Sequence, residues 1–319
     1  MIRRPPRSTL DRSSAASDVY KRQVSSRGVG LQDFSLEKPW RPHSIVLEVD
    51  PPYHTKTRAV IERALSPTAV RNLTNSFRED AEKLIDELLE KGTFDAVEEL
   101  AEIYPTTVFP KAVGLRRIDR NRLLDYGEIV FSAMGPNNAL RSNAMVMSPD
   151  IAPWIMEQCQ REHLDPEGFG ATIYAGADAG DITTEEAGLL VRSLLSAGVG
   201  TTVTALGSAI WCLANNPEQF QIMKSDSSLP IWTFEETLRY TSPIHTHCRT
   251  ASKDTDVGGV KIEEGSKILC VLGSANLDER HWFEADKFDI KRKPSDHLAL
   301  GGGVHGCVGQ NVARAELAT

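Results

Sequence analysis

Residues 300–309 read Leu-Gly-Gly-Gly-Val-His-Gly-Cys-Val-Gly, and this stretch decides how the rest of the chain is interpreted. Glycines at this density let the backbone approach a flat, bulky group, or adopt positive φ angles that a side chain disfavours. A helix-like run follows at residues 311–317, so loop amides and a helix N-terminus can stabilise the Cys307 sulfur as a thiolate. Such a sulfur is a soft, electron-rich ligand suited to a haem iron.

Two other interpretations of this stretch compete with the ligand hypothesis. A single cysteine after a glycine-rich turn is more often a small buried hydrophobic residue than a ligand. A phosphate-binding loop is less well supported, because no Lys-Ser/Thr pair follows the glycines. The loop alone does not distinguish a ligand cysteine from a buried hydrophobic cysteine. The choice between them depends on the other motifs of the chain.

Three other stretches carry unusual residues in chain order. After Pro51-Pro52, His54 and Arg58 are four residues apart and share one helical face, which by itself is typical of a solvated surface. A capping box at residues 183–186 begins an apolar helix predicted to run to about residue 214. Its centre, residues 197–204, holds two glycines and three threonines, which are poor helix formers. Threonine hydroxyls that bond back to carbonyls can open a helix, and a packing kink is the alternative.

The third stretch combines Glu236-x-x-Arg239 with Arg249 shortly downstream. Glu236 and Arg239 are one helical turn apart and can form an ion pair, although this spacing is common on helix surfaces. Strand-like segments follow at residues 255–257, 260–262 and 267–271, separated by glycine turns.

Together these motifs resemble the cytochromes P450. The haem-binding loop of that family, Phe-Gly-x-Gly-x-His-x-Cys-x-Gly, matches at every fixed position except the first, where Leu300 replaces Phe. The resemblance implies a mainly α fold with a minor β-sheet region and a haem b cofactor. It identifies Cys307 as the axial iron ligand, and it implies further cofactor-binding residues: His54, Arg58, Ala197, Gly198, Arg249, Leu300, Gly301, His305 and Gly309.

The same resemblance assigns catalytic positions in the long helix. Thr201 stands where the family has its oxygen-activating threonine, and the preceding position, normally an acid, is Gly200. A carboxylate there relays protons, whereas glycine can do so only through ordered water. We therefore expect poor coupling of electron use to product.

A narrower resemblance concerns the substrate. Residues 40–52 and 192–199 resemble a bacterial subfamily that oxidises para-substituted benzoates, such as methoxybenzoate demethylases. By this resemblance Arg41, Ser44, Arg192 and Ser193 hold a carboxylate, for which charge-assisted donors are needed. The apolar surroundings of the ring are then formed by Leu47, Phe131 and Ala197. A solvated loop position for Arg41 and a helix-surface position for Arg192 remain the alternatives.

Composition limits the class of protein. The chain has 319 residues, 40% of them hydrophobic and 25% charged, and its net charge of −8 argues against nucleic acid as a general partner. Five scattered cysteines without CxxC spacing favour a reducing cytoplasm. We expect no signal peptide, no apolar run that approaches the length of a membrane span, and a monomer.

The ends of the chain receive separate interpretations. Residues 1–23 are rich in arginine and lack periodicity, so we interpret them as a non-native adapter or vector scar, with a basic targeting tail as the alternative. We assign residues 24–319 to one P450 domain. The resemblance also predicts that the fold is incomplete at its N- and C-termini.

Hydrophobic periodicity and capping residues predict further helices. They are expected over residues 77–91 (closed by Gly92), 97–103, 119–133 and 149–163, with Asp119 as an N-cap and Pro149 in a first turn.

The resulting hypothesis is a haem-thiolate monooxygenase that hydroxylates or O-demethylates a para-substituted aromatic carboxylate. The family implies electrons from NADH through a reductase and an iron–sulfur ferredoxin, which docks on the Cys307 side near Arg314 and Arg63. Two alternatives remain: a peroxide-driven haem enzyme, suggested by Gly200, and a catalytically inert haem-binding fragment.

Overall fold

The structure, a computed structural model, describes residues 23–318, and within them it is mainly helical with two small sheets. The α-helices of this part of the chain are α1 (Tyr53–Ala64), α2 (Pro67–Lys91), α3 (Ile103–Val113), α4 (Arg120–Met134), α5 (Ala139–Gln158), α6 (Phe169–Asp178), α7 (Thr184–Gly198), α8 (Gly200–Asn215), α9 (Pro217–Ser225), α10 (Leu229–Thr241), α11 (Leu272–Asn276) and α12 (Gln310–Leu317). A π-helical turn, Ala96–Ala101, precedes α3, and short 3₁₀ turns lie at Arg161–His163 and Gly303–His305.

Helix α7 lies at the centre of the main hydrophobic core. Its apolar face, which includes Leu190, Val191, Leu194 and Leu195, is almost completely buried. It packs against α3, α4, α5 and α6. Burial of this face supplies the main driving force that holds the helical layer together.

Local sequence explains where several helices begin and end. Thr183 and Glu186 form the predicted reciprocal capping box, and the Asp119 side chain accepts a hydrogen bond from the Arg122 amide. Gly92 follows α2 with a φ of 85°, a conformation that glycine adopts without strain. These three predictions are confirmed.

The long central helix is not continuous. Val199 lies between α7 and α8 with φ −90° and ψ −70°, so the predicted single helix is wrong at this residue. The hydroxyls of Thr201, Thr202 and Thr204 each donate to the carbonyl four residues earlier. This back-bonding is the expected response of threonines in a helix and accompanies the break.

Other expectations about the helices need correction. Pro149 lies inside α5 rather than in a first turn, because that helix begins ten residues earlier at Ala139, after the N-cap Asn138. Helix α2 begins at Pro67, ten residues before the predicted start. Residues 97–103, predicted as a helix, are mostly the π-helical turn Ala96–Ala101, and helices α3, α6, α9 and α11 were not predicted.

Two antiparallel sheets carry the short strands. One joins β1 (Gln23–Val24), β2 (Thr246–Ala251) and β5 (Lys267–Val271) in the order β1-β2-β5, and the other pairs β3 (Thr255–Val257) with β4 (Val260–Ile262). The bounds of β3, β4 and β5 agree with the predicted strand segments. Gln23 pairs with Ala251, so the predicted domain boundary between residues 23 and 24 falls inside strand β1. Residues 1–22, which we interpreted as a non-native adapter, lie outside the described residues.

Within residues 23–318 one stretch, Thr184–Asn215, is long and apolar enough to cross a membrane by length and composition. Half of the most apolar part of this stretch is buried inside the protein, as in the core helix of a globular domain. The expectation that no apolar run approaches this length was therefore wrong.

A fully buried ion pair connects α10 to the segment before the cysteine loop. Arg239 donates two hydrogen bonds of 2.8 Å to the carboxylate of Glu236, and neither side chain is exposed. Arg239 also donates to the carbonyls of Asn276, Ala285 and Lys287. One guanidinium thus fixes three points of an irregular segment.

Replacing Arg239 with methionine is expected to destabilise the fold by about 3–5 kcal/mol, because Glu236 and three carbonyls lose their partner inside the protein. Chemical denaturation monitored by circular dichroism measures the change. Arg161→Gln is the control, since Arg161 forms an exposed pair with Asp178 and its loss should cost less than about 1 kcal/mol. Equal effects of the two substitutions would contradict the role given to Arg239.

Candidate functional site

A cavity of about 630 Å³ lies between α7, α8, α10, α12 and the loop before α12. Its volume is within the range of small-molecule and cofactor sites. Most residues predicted for the site border it: Arg41, Ser44, Leu47, Arg58, Phe131, Ser193, Ala197, Gly198, Thr201, Arg249, Leu300, Gly301, His305, Cys307 and Gly309. Three predicted residues, His54, Arg192 and Gly200, do not border it, and the structure places them directly behind its wall or in a neighbouring cavity.

The glycine-rich loop folds back on itself beside this cavity. Gly301 and Gly303 have φ angles of 69° and 65°, which favour glycine. The Cys307 amide donates to the Leu300 carbonyl at 2.8 Å and closes the loop. A Cβ atom built on Gly302 meets nothing within 4 Å, so the loop presents bare backbone to open space.

Opposing effects act on the Cys307 thiol. Burial raises its pKa, while the Gly309 amide, Arg58 and Arg314 all lower it. The Gly309 amide is of the kind that the sequence predicts at this sulfur, whereas the two arginines were not predicted there, and burial outweighs all three in the protein alone. Binding of a cation at the sulfur would remove that penalty, since a coordinating thiol loses its proton.

Imidazoles and guanidiniums gather at one edge of the cavity. The rings of His54 and His305 lie 4.3 Å apart, and Arg58 donates to the Gly306 carbonyl at 2.7 Å. Burial lowers the pKa of both histidines, that of His305 to about 4, with further lowering from Arg58 at His54 and from His54 and Arg249 at His305. The cluster therefore carries its positive charge on the two arginines.

Buried ring nitrogens in this cluster have no partner among the described residues. They are Nε2 of His54 and Nδ1 of His305. An orphaned buried polar atom is costly and usually marks a missing ligand or water. Carboxylates of a bound group would be suitable partners for these nitrogens and for the two arginines.

These observations fit a haem. A cysteine sulfur on the cavity wall can ligate iron, bare glycine backbone leaves room for a flat macrocycle, and the histidine–arginine cluster can receive its propionates. The fit rests on the donor set and on unpartnered atoms of the chain itself.

The helix break forms another part of the wall. A Cβ atom on Gly198 would lie 2.2 Å from the Phe109 ring, so this glycine is required by the close approach of α3. Sequence reasoning attributed the small residue to the cofactor, whereas its closest neighbour is Phe109. At Gly200 a Cβ atom would make only an ordinary contact of 3.5 Å with Phe131, so a side chain is sterically tolerated there.

Gly198→Ala is expected to cost about 1–3 kcal/mol of folding stability, because the buried Phe109 ring must move. Gly207→Ala in α8 is the matched control, since its Cβ would lie 3.7 Å from Ala101. That substitution should be neutral or stabilise by up to about 1 kcal/mol through helix propensity. Thermal denaturation of the two variants compares them, and a stable Gly198→Ala protein would contradict the packing argument.

Polar groups border the cavity near the loop of residues 41–48. The hydroxyls of Ser44 and Ser193 lie 3.2 Å apart and are both buried. Glu48 accepts hydrogen bonds from the Ser44 amide at 2.7 Å and from Arg41 at 3.2 Å. Sequence reasoning missed Glu48; its position seven residues after Arg41 in a non-helical loop gave no signal of pairing.

Arg192 lies behind the cavity wall formed by Ser44 and Ser193 rather than on the cavity surface. It is 2% exposed, donates to the His43 carbonyl at 2.9 Å, and its Nε and Nη1 atoms have no partner among residues 23–318. Burial, with a contribution from Arg41, lowers its pKa. Its position suits electrostatic support of an anion bound at the two serines.

A second cavity of about 470 Å³ adjoins the first. Gly200, Thr204 and His245 border it, and Phe131 and Thr201 border both cavities. Thr201 thus lies at the boundary between the two spaces, where its hydroxyl donates to the Ala197 carbonyl at 2.6 Å.

The fold and site define a helical protein with a cavity between a broken central helix and a cysteine loop that suits a flat cofactor. The family model for Cytochrome P450 matches residues 229–319. The chain is 52% identical to cytochrome P450 CYP199A2 of Rhodopseudomonas palustris over 92% of its own length and 71% of that protein. It is 34% identical to cytochrome P450 126 of Mycobacterium tuberculosis over 94% and 73% of the two chains.

Solved structures of cytochromes P450 have a similar fold. The fold resembles P450BioI, crystallised with an acyl carrier protein that carries hexadec-9Z-enoic acid, with a TM-score of 0.83, 24% identity and coverage of 96% and 81%. It also resembles CYP109E1 of Bacillus megaterium in complex with testosterone, with a TM-score of 0.77, 26% identity and coverage of 88% and 76%. The chain belongs to the cytochrome P450 family and is a haem-dependent monooxygenase of that family.

Proposed function

We propose that this monooxygenase inserts one oxygen atom of O₂ into a small aromatic carboxylic acid, by hydroxylation or O-demethylation of a para-substituted ring. The observation that carries the proposal is the pair of buried serine hydroxyls, Ser44 and Ser193, beside Arg41 on the wall of the cavity that also contains Cys307. The similarity to the benzoate-oxidising subfamily in the same residues supports it.

The assignment of cofactor roles follows the site's geometry. Cys307 would ligate the iron of a haem, while His54, Arg58, Arg249 and His305 would bind its propionates. A haem held in this way would supply the activation of O₂, and a thiolate ligand favours cleavage of the O–O bond. The protein's own contribution is to fix the sulfur with the closed glycine loop and to exclude bulk water from the cavity.

Substrate orientation depends on the polar group of the loop. The Ser44 hydroxyl donates to the substrate carboxylate, and the Ser193 hydroxyl does so by giving up its bond of 2.9 Å to the Leu189 carbonyl. Arg41 and buried Arg192 supply positive potential. Because Glu48 is paired with Arg41, the group of three charged residues retains one net positive charge, which matches a monoanion. Leu47, Phe131 and Ala197 contact the aromatic ring.

Thr201 and Gly200 take part in oxygen activation. The Thr201 hydroxyl holds a proton at the boundary of the two cavities and exchanges its bond to the Ala197 carbonyl for one to cavity water. Gly200 contributes space without a proton-carrying group. Ala197, Gly198, Leu300, Gly301 and Gly309 contact the cofactor through small or apolar surfaces.

The electron donor is proposed to be an iron–sulfur ferredoxin that is reduced by NADH through a reductase. It docks on the Cys307 side, and the protein acts as a cytoplasmic monomer. In the structure Arg314 is bonded to Glu235 and Gln310, and Arg63 is paired with Asp181, so neither cation of the expected docking face is unpaired.

Thiolate ligation is tested with the reduced, haem-loaded protein under carbon monoxide. The wild-type chain should show the strongly red-shifted Soret band of a haem thiolate, and Cys307→Ser should lose it. Cys270→Ser is the control, because Cys270 also borders the cavity. A red-shifted band that survives Cys307→Ser would contradict the assignment. Absence of haem uptake by the wild-type chain would contradict the cofactor site, whereas a red-shifted band without turnover would favour the inert haem-binding fragment.

Carboxylate recognition is tested by titrating the haem-loaded protein with para-methoxybenzoate and with the neutral para-methoxybenzamide. We expect the acid to bind at least about tenfold more tightly, since a charge-assisted hydrogen bond contributes about 1.5–3 kcal/mol. Ser44→Ala should weaken binding of the acid by about tenfold and leave the amide nearly unchanged. Equal binding of acid and amide would overturn the substrate class.

Peroxide-driven oxidation is the second candidate function, favoured by the missing carboxyl at Gly200. It predicts that hydrogen peroxide forms product without ferredoxin or NADH, at a rate comparable to the complete electron-transfer system. Tight coupling of NADH to product in that system would exclude it.

A further inference from the structure

A buried carboxylate lies directly behind the residues proposed to bind the substrate carboxylate. Glu48 is 3% exposed and lies behind Arg41, which borders the cavity. One carboxylate oxygen of Glu48 accepts hydrogen bonds from the Ser44 amide at 2.7 Å and from the Arg41 guanidinium at 3.2 Å. An acid beside a site for an anion is unexpected, because a carboxylate repels the group that the site binds.

The charged side chains of this region act on one another. Arg41 and Glu48 form an ion pair whose side chains are 9% and 4% exposed. The pKa of buried Arg192 is lowered chiefly by burial and next by Arg41, and Glu48 is among the groups that raise it. In a region with so little water, charges act on one another with little screening. Removal of the Glu48 charge would therefore leave two arginines near each other without this counter-ion.

The same ion pair determines how Arg41 can act on a bound anion. Its Nη1 atom donates to Glu48 and, at 2.9 Å, to the Pro42 carbonyl. Two planar nitrogens of an arginine must be available together to hold a carboxylate by a pair of parallel hydrogen bonds. Because Glu48 and Pro42 already occupy Nη1, Arg41 acts on the cavity mainly through its charge, and Glu48 compensates that charge.

We propose that Glu48 is a specificity-determining residue that acts through Arg41 and limits the carboxylate site to one net positive charge. An aromatic acid with one carboxylate matches this charge. A ring with two carboxylates brings one negative charge more than the site compensates, and an uncompensated charge in a poorly hydrated site is costly. A neutral analogue leaves the positive charge of the site unmatched. The enzyme is therefore selective for aromatic monocarboxylic acids, an inference that rests on the proposed oxidation of aromatic acids.

The test replaces Glu48 with glutamine, which removes the charge and keeps a carbonyl oxygen that can accept from the Ser44 amide. Haem-loaded protein is titrated by calorimetry at neutral pH with para-methoxybenzamide, para-methoxybenzoate and 4-methoxyphthalate, which carry no, one and two negative charges. We expect Glu48→Gln to bind the monoanion about tenfold and the dianion about a hundredfold more tightly, because the repulsion from Glu48 is lost for each substrate charge. The affinity for the amide should stay unchanged.

Glu284→Gln is the matched control, because it removes the same charge from an exposed pair with Lys287. Its affinities for the three ligands should equal those of the wild type, since exposed charges are screened by water and salt. A residue with a purely structural role would change the three affinities by a common factor. An unchanged ratio of dianion to monoanion affinity in Glu48→Gln would therefore overturn the proposal.

Removal of the arginine charge tests the same balance in the opposite direction. Arg41→Gln leaves Glu48 to compensate Arg192, so the site should bind the monoanion about tenfold less tightly. Addition of Glu48→Gln restores one net positive charge and should return the ratio of acid to amide affinity to nearly the wild-type value. A double variant as weak as Arg41→Gln would overturn the proposal, because Arg41 would then act by direct contact. The double variant leaves neither charge of the ion pair without its partner, so its comparison with the wild type decides even if a single variant does not fold.

The substrate proposal and this inference fail in different ways. Equal binding of acid and amide by the wild-type chain would contradict the oxidation of aromatic acids and, with it, the role of Glu48. A wild-type preference for the acid that Glu48→Gln leaves unchanged would contradict the role of Glu48 alone. A wild-type chain that binds 4-methoxyphthalate as tightly as para-methoxybenzoate would likewise overturn the selectivity for monocarboxylic acids and leave the substrate class intact.

Discussion

The buried Glu236–Arg239 pair is the interaction on which the remainder of the site depends. Residues 276–300 contain little regular structure, so their backbone polar groups need partners that helices and strands would otherwise supply. Arg239 satisfies three of their carbonyls, and Glu236 accepts from the Asp289 amide and from Arg292. An ion pair in this position is costly to desolvate, but its hydrogen bonds hold a long irregular segment in one conformation, and that segment leads directly to the cysteine loop.

Sequence alone predicted the parts of the fold that depend on local physics. The capping box at Thr183, the N-cap at Asp119 and the glycine turns between the strands act through neighbouring residues, so their signals are visible in the chain. Pro149 was misread because a proline inside a helix is normally unfavourable, and here Asn138 begins the helix earlier. The close approach of Gly198 to Phe109 beside the break involves a residue that is remote in sequence, so neighbouring residues give no signal of it.

The candidate site divides in the same way. The motifs predicted that Cys307, His305 and Arg58 belong to one site, and all three border the same cavity. This was possible because each residue lies on an element whose position the family fold determines. It could not show that Arg192 is buried behind the wall, that Glu48 neutralises Arg41, or that Glu316 is unpartnered within the described chain. Burial and pairing are properties of the folded chain, and residue identity alone does not determine them.

Charge is distributed in the cavity so that each end retains room for an anion. At the histidine–arginine cluster, Arg58 and Arg249 lie beside two histidines whose pKa burial lowers, while at the loop of residues 41–48 one carboxylate compensates one of two arginines. The wall between these ends is mainly apolar. A cavity with this distribution favours a cofactor and a substrate that each carry carboxylates at their outer edges and apolar rings where they meet. On the proposed function, charge at both ends would fix the position of the reacting carbon, and the apolar walls would need only to exclude water and other orientations.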